Sequence, residues 1–292
     1  MRKLNARLKA WAVAVLTLSV AAMTGAALAA RPNSASPATT PVPVFGLKPV
    51  VFLPAVLGPS HFMALTPGSA LPSDAVCAAR VRQKSENKRV NAVYNTTTGH
   101  QRLGDDLFSG SDPRADTEIA VRVTGNFSGT TDMILQWAAC KWGIDEDIVR
   151  AQAAIESWSR QSAKGDWGTD PDRCPPGHGP GVDDPNRPDQ CPESWGLLQA
   201  RFPYERSAWP GIADSTAFNA DTAYAIWRAC FEGYEVWLNQ VPRGRDYAPG
   251  DVWGCVGRWY AGRWHTPEAE VYINKVKSYL DRRIWESPDF QE

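Results

Sequence analysis

Past residue 30 the chain has no apolar run long enough to cross a bilayer and no surplus of positive charge. The first absence argues against a membrane-embedded body. The second leaves no footprint for nucleic acid or an anionic membrane, since 31 Lys and Arg face 32 Asp and Glu. Histidine is scarce: four are scattered along the chain, with no Cys-x-x-Cys and no His-Glu-x-x-His, so no zinc site is expected. Gly-x-Ser-x-Gly, a phosphate loop, a calcium-loop spacing and internal repeats are missing as well. Neither a metal nor a cofactor is therefore expected.

What is present begins with a leader. Arg2, Lys3, Arg7 and Lys9 precede an apolar run from Ala10 to about Ala22, closed by the small residues Ala27-Leu28-Ala29-Ala30. This is the order of a secretory signal over residues 1–30, with cleavage expected after Ala29 or Ala30. An uncleaved anchor is the alternative, because Trp11–Ala30 is just long enough to span. The small-residue end favours cleavage. No Cys stands at the cleavage point, which argues against a lipid anchor. Loss of the four basic residues takes the net charge from −1 to about −5. The expectation is a secreted, periplasmic or wall-associated protein with no span after cleavage; the sequence fixes no oligomeric state.

Cysteine usage agrees with export. Cys77, Cys140, Cys174, Cys191, Cys230 and Cys255 make an even set, which outside the cytosol reads as disulfides. Cys174 with Cys191, and Cys230 with Cys255, are close enough in sequence to bridge. That leaves Cys77 with Cys140, although sequence alone keeps the connectivity open.

Composition divides the rest. Residues 31–73 start as a Pro, Ala and Ser-rich tether. They continue as an apolar segment in which Pro49, Pro54 and Pro59 exclude a regular helix, which leaves an extended N-terminal segment lying across the domain, or a disordered one. Residues 74–129 are polar, with candidate short strands at Val90–Tyr94 and Ile119–Val123. Twelve of the thirteen Trp and five of the six Cys lie beyond, marking 130–292 as the packed body. Five cysteines cannot all pair among themselves, so 74–129 is expected to pack onto that body.

The body reads as mainly α, a bundle joined by long, disulfide-stapled loops. Ile134, Trp137, Ala138 and Lys141 share a stripe of a helix over Asp132–Trp142, and Gly143 ends it. Asp145 caps a second helix, with Ile144 and Val149 at the spacing of a hydrophobic staple. Ala220, Tyr224, Trp227, Phe231, Tyr234 and Leu238 predict one long buried helix. Thr266-Pro267-Glu268 starts the last one.

Glu156 ends the second helix in the string AAIESW. A carboxyl at the edge of an apolar face loses solvation, holds its proton to higher pH, and can hand it to a glycosidic oxygen. Taken alone, a solvated Glu at a helix end is the better reading. Three strings in order change the weight: KWGIDEDIVRAQAAIES (Lys141–Ser157), SWGLLQ (Ser194–Gln199), and GRWYAGRW followed by PEAEVYINKV (Gly257–Trp264, Pro267–Val276), all on expected helices. Together they resemble the soluble lytic transglycosylase family of the lysozyme-like group, which includes goose-type lysozyme. The likeness covers roughly residues 130–285.

The resemblance implies a lysozyme-like helical domain acting on peptidoglycan glycan strands. Glu156 would serve as acid and then base, with the substrate's N-acetyl oxygen as nucleophile and anhydro-muramic ends as product. Ser157, Gln199 and Tyr272 would match the family's serine, groove glutamine and tyrosine. Ser194, and the indoles of Trp158, Trp195 and Trp264, fall in or beside the strings as substrate-binding candidates, with core packing as strong a reading for each indole. Two departures stand out. Tyr260, a further substrate-binding candidate, replaces the family's Asn and could supply a hydrogen bond there from a different distance, and residues 157–193 form a longer loop than the family's, with Asp166, Asp170 and Asp172 inside it. Any of these could hold a water opposite Glu156, as in an inverting hydrolase, although solvated loop aspartates are the better reading. Three readings follow: a lytic transglycosylase, a hydrolytic muramidase or chitinase-like glycosidase on the same fold, and a non-catalytic glycan-binding protein.

Overall fold

The computed structural model describes residues 61–98, 103 and 107–291; the expected leader and the tether before residue 61 lie outside the described residues. The chain is mainly helical. Residues 61–73 have no helix or strand and pack where two later helices meet: Leu65 N–H donates to Gly143 O at 3.0 Å, and Glu146 N–H to Phe62 O at 3.1 Å.

Helices α1 (Asp74–Arg80) and α2 (Ala92–Thr96) come first. Neither expected strand forms: Arg89–Asn91 is a 3-10 turn entering α2, and Ala115–Ile119 is a π turn running into the 3-10 turn Ala120–Arg122. The reason is which side faces inward. Val90, Val93 and Val121 are exposed, whereas Asn91 is buried and bonds Thr131, Ser159 O and Gln161 N–H. The apolar alternation was not that of a core face.

Helices α3 (Thr131–Trp142) and α4 (Glu146–Ser157) follow the expected signals. Gly143 is left-handed at φ +59°, and Asp145 accepts from the N–H of Asp147 and Ile148 at 2.9 and 3.4 Å. Next comes a three-stranded antiparallel sheet, β1 (Lys164–Gly168), β2 (Cys191–Trp195) and β3 (Ala200–Arg201), pairing Gly165 with Ser194 and Ser194 with Arg201. The SWGLLQ string is therefore strand and turn, not helix. Gly196 (φ +81°) and Gln199 (φ +53°) are left-handed, which a right-handed helix cannot contain.

After the short α5 (Gly211–Asp214), α6 (Thr216–Phe231) is buried along its whole length, with α3, α5 and α7 (Val252–Ala261) packed on it. It stops at Phe231, short of the expected Leu238, because the chain turns at Gly233 (φ +87°). Tyr234 and Leu238 stay buried from the turn and the 3-10 segment that follow, so the apolar spacing outlasts the helix. Asp221, the one acidic group inside α6, accepts from Lys141 Nζ, Trp142 Nε1 and Thr124 N–H at 2.8 Å and from Gly125 N–H at 2.9 Å. Four donors compensate a buried carboxylate and tie the 74–129 segment to the bundle. Helix α8 (Pro267–Asp281) has Thr266 at its cap position, but that hydroxyl accepts no helix N–H.

Disulfides join Cys77 to Cys140 (α1 to α3), Cys174 to Cys191 (loop to β2) and Cys230 to Cys255 (α6 to α7). Three bridges and no free cysteine fit folding in an oxidising compartment. Among the described residues no helix is long and apolar enough to cross a membrane.

Candidate active site

The turn Gly196–Gln199 is pinned from three helices. From α4, Ser157 Oγ donates to Leu197 O at 2.7 Å; from α7, Trp259 Nε1 donates to Leu198 O at 3.0 Å. From α6, Asn219 Oδ1 accepts Leu198 N–H at 2.9 Å, and its amide nitrogen donates to Trp195 O at 2.9 Å. Gln161 accepts Leu197 N–H at 3.1 Å. The glycine is required: a Cβ at Gly196 would meet both of these amide groups and Ile212 O.

Glu156 sits half-buried in the last turn of α4, one residue before the Ser157 that holds this turn. The Tyr272 hydroxyl, from α8, donates to its Oε1 in a short hydrogen bond. Desolvation dominates its titration and pushes its pKa up to about 8; the Tyr272 bond opposes the rise and the negative charge of Asp166 adds to it. The phenol of Tyr224, buried on α6, is raised by burial and by Glu156. Glu156 is thus a carboxylic acid that keeps its proton at neutral pH and retains partial access to solvent.

Asp166 lies in β1 with a left-handed backbone, φ +48°. A residue other than glycine is strained there, and such strain concentrates at functional positions. Ser194 Oγ donates to its Oδ2, and Arg201 Nε lies 3.4 Å from the same oxygen. Arg201 is held in turn by Glu193, which also binds Arg173. Of the three loop aspartates singled out, Asp166 is the one whose charge acts on Glu156. Asp170 instead caps the turn Pro171–Arg173, accepting from Asp172 N–H at 3.0 Å.

The other candidates divide. Tyr260 lies flat on Tyr272, so it joins the Glu156 group. Gln199 folds back, donating to Gly196 O at 2.9 Å, and its Oε1 fills the space a Cβ at Gly165 would need. Ser157 and the buried Ser194 act on protein groups, the turn carbonyl and Asp166. For the three tryptophans the packing around each ring matches the core alternative more closely than the sugar-contact one. Trp264 is fully buried over Gly254, with Nε1 donating to Asp246 O. Trp195 is 5% exposed, packed against His178, Trp209 and the Lys164 ammonium. Trp158, left-handed at the end of α4, meets Phe290 and Tyr279. Trp195 and Trp264 are buried in the packed interior, and Trp158 keeps partial exposure.

One set of metal-ligating atoms converges among the described residues, those of His61, Asp145 and Asp147. All three are engaged: His61 pairs with Asp145, Asp145 caps α4, and Asp147 faces Arg150 at 2.8 Å and Arg283 at 2.6 Å. Two guanidinium groups on one carboxylate oppose a further cation.

Asn219, Gln161 and Arg201 escaped the sequence reading. The available signal for Asn219 was a lone amide in the apolar run Ala217-Phe218-Asn219-Ala220. Arg201 gave none, because the strand that aims it was not foreseen. No family model matches the chain, and neither a curated protein nor a solved structure matches it.

Proposed function

We propose that this chain is an exported enzyme that cleaves the glycan strands of bacterial cell wall on a lysozyme-like helical domain, as a lytic transglycosylase with Glu156 as its acid and base. The observation that carries the reading is a half-buried carboxyl at the end of α4 with Tyr272 on one of its oxygens, where burial raises its pKa to about 8. With Oε1 accepting from Tyr272, Oε2 is left to carry the proton. Glu156 gives that proton to the oxygen between N-acetylmuramic acid and N-acetylglucosamine, and the C1–O bond breaks. The substrate's N-acetyl oxygen attacks C1 and forms a cyclic intermediate. The Glu156 carboxylate then takes the C6 hydroxyl proton, O6 attacks C1, and an anhydro end forms as the N-acetyl group is released. This route needs one protein carboxylate.

Asp166 favours a second reading. It is oriented by Ser194 and lies near enough to Glu156 to act on its charge state. An aspartate so placed can hold a water for direct attack on C1, which makes the enzyme a hydrolase with reducing ends as product. A first test is clearance of purified peptidoglycan by the wild type and by Glu156→Gln. Clearance by the wild type alone supports enzymatic cleavage through Glu156; equal clearance by both removes that assignment.

A further inference from the structure

Tyr260 stands in the last turn of α7, and its ring is stacked on that of Tyr272, with centroids 4.9 Å apart and planes 3° from parallel. The two rings differ in exposure: Tyr272 is 5% exposed and Tyr260 is 61% exposed. Tyr260 and Tyr204 are the most exposed aromatic side chains among the described residues. One face of the Tyr260 ring therefore rests on Tyr272, whose hydroxyl holds Glu156, and the opposite face is open.

The platform is held firmly. Trp259, the preceding residue, anchors α7 to the Gly196–Gln199 turn through its indole N–H, and Gly262 closes the helix at φ +57°. A side chain that served only to back Tyr272 would gain from being covered itself. A large ring kept open beside an acid instead offers a partner its negative π face. The C–H groups on one face of a pyranose carry the complementary partial charge and present a flat apolar surface of similar size.

We propose that the open face of Tyr260 is a stacking subsite for the pyranose ring of an N-acetylhexosamine in the glycan strand, next to the bond that Glu156 cleaves. The inference rests on the glycan-cleaving reading and adds a specificity-determining residue to it. Stacking needs the ring and not its hydroxyl, which separates this role from a hydrogen bond by Tyr260. It also separates it from mere support of Tyr272, which would act through the proton on Glu156.

The test uses glycan strands freed of stem peptides, titrated by calorimetry into the full mature chain carrying Glu156→Gln, alone or with Tyr260→Ala or Tyr260→Phe. The expected result is binding weakened about tenfold by Ala and nearly unchanged by Phe. In the otherwise wild-type enzyme, Tyr260→Ala should raise KM and leave the alkaline limb of the pH profile in place. Thermal melting of each variant shows whether it is folded, and Tyr260→Phe keeps the ring stack if Ala disturbs α7. Parent-like binding by Ala overturns the subsite while leaving the glycan reading intact, as does equal loss in Phe and Ala. A shifted alkaline limb with unchanged KM assigns Tyr260 to the support of Tyr272 instead. Absence of strand binding by the Glu156→Gln parent removes the glycan reading itself, and the subsite with it.

Discussion

Tyr272 and Glu156, 116 residues apart in the chain, are joined by a hydrogen bond in which the phenol donates to Oε1 of the carboxyl. Such a bond favours the charged form, whereas the negative charge of Asp166 disfavours it. Two substitutions should therefore move the same titration in opposite directions. Cleavage by the wild type should fall as pH rises through about 8, where Glu156 loses its proton. Tyr272→Phe should carry that limb to higher pH and, with the acid less well oriented, lower kcat by about tenfold or more. Asp166→Asn should carry the limb to lower pH. Rates across pH 5 to about 10 check both signs, and a shift in one common direction contradicts the charge arrangement.

Asp166→Asn also separates the chemistries. Loss of about a hundredfold or more in kcat at pH 6 assigns Asp166 to holding a water, as general base catalysis requires. Near-normal turnover at that pH assigns the chemistry to Glu156 alone.

Stability should follow the same proton. Glu156 is raised from 4.5 to about 8 on folding, so the folded state holds a proton that the unfolded chain releases at lower pH. Its contribution is fully present below about 4.5 and is lost as pH rises to about 8. Glu156→Gln removes this slope. Relative to the wild type, the variant should gain on the order of 4 kcal/mol between pH 4.5 and 8, read as a widening difference in Tm. A constant difference across that range contradicts the raised pKa.

These features were unequally legible in the sequence. Local signals were reliable: Gly143 ends α3, Asp145 caps α4, and Ile144 and Val149 flank that cap, because each depends on a few neighbouring residues. Glu156 stood out as a candidate because its string, its helix position and its apolar flank agreed. The sheet was missed because β1 lies in a polar, Asp-rich loop and is held by pairing with β2, a contact that leaves no apolar alternation. The tryptophans stayed undecided because the sequence places an indole beside a motif but does not say which neighbour packs on it. Phe290, more than a hundred residues further on, packs against Trp158.

Asn219 lends itself to a packing test. Its amide makes three bonds, to Leu198 N–H, Trp195 O and Ile212 O, at 2.8 to 2.9 Å. Asn219→Ala leaves those backbone groups buried without partners and should cost about 3 kcal/mol, measured by urea unfolding. A loss under about 0.5 kcal/mol contradicts the role given to the turn.

The loop staple should matter less to chemistry than to stability. Replacing Cys174 and Cys191 together by Ala frees a loop with a sequence separation of 17 and should lower stability by about 2–4 kcal/mol. Calorimetric melting of the pair of proteins reads the difference, and an unchanged Tm contradicts it.

The central claim is that Glu156 cleaves glycan strands and that the ends close on themselves. Mass spectrometry of fragments released from purified peptidoglycan, by the mature protein and by Glu156→Gln, tests it most directly. Anhydro-muramic ends from the wild type and none from the variant are the expected result. Reducing ends contradict ring closure and move the chemistry to a water held by Asp166, while an absence of fragments from both proteins contradicts the enzyme reading altogether.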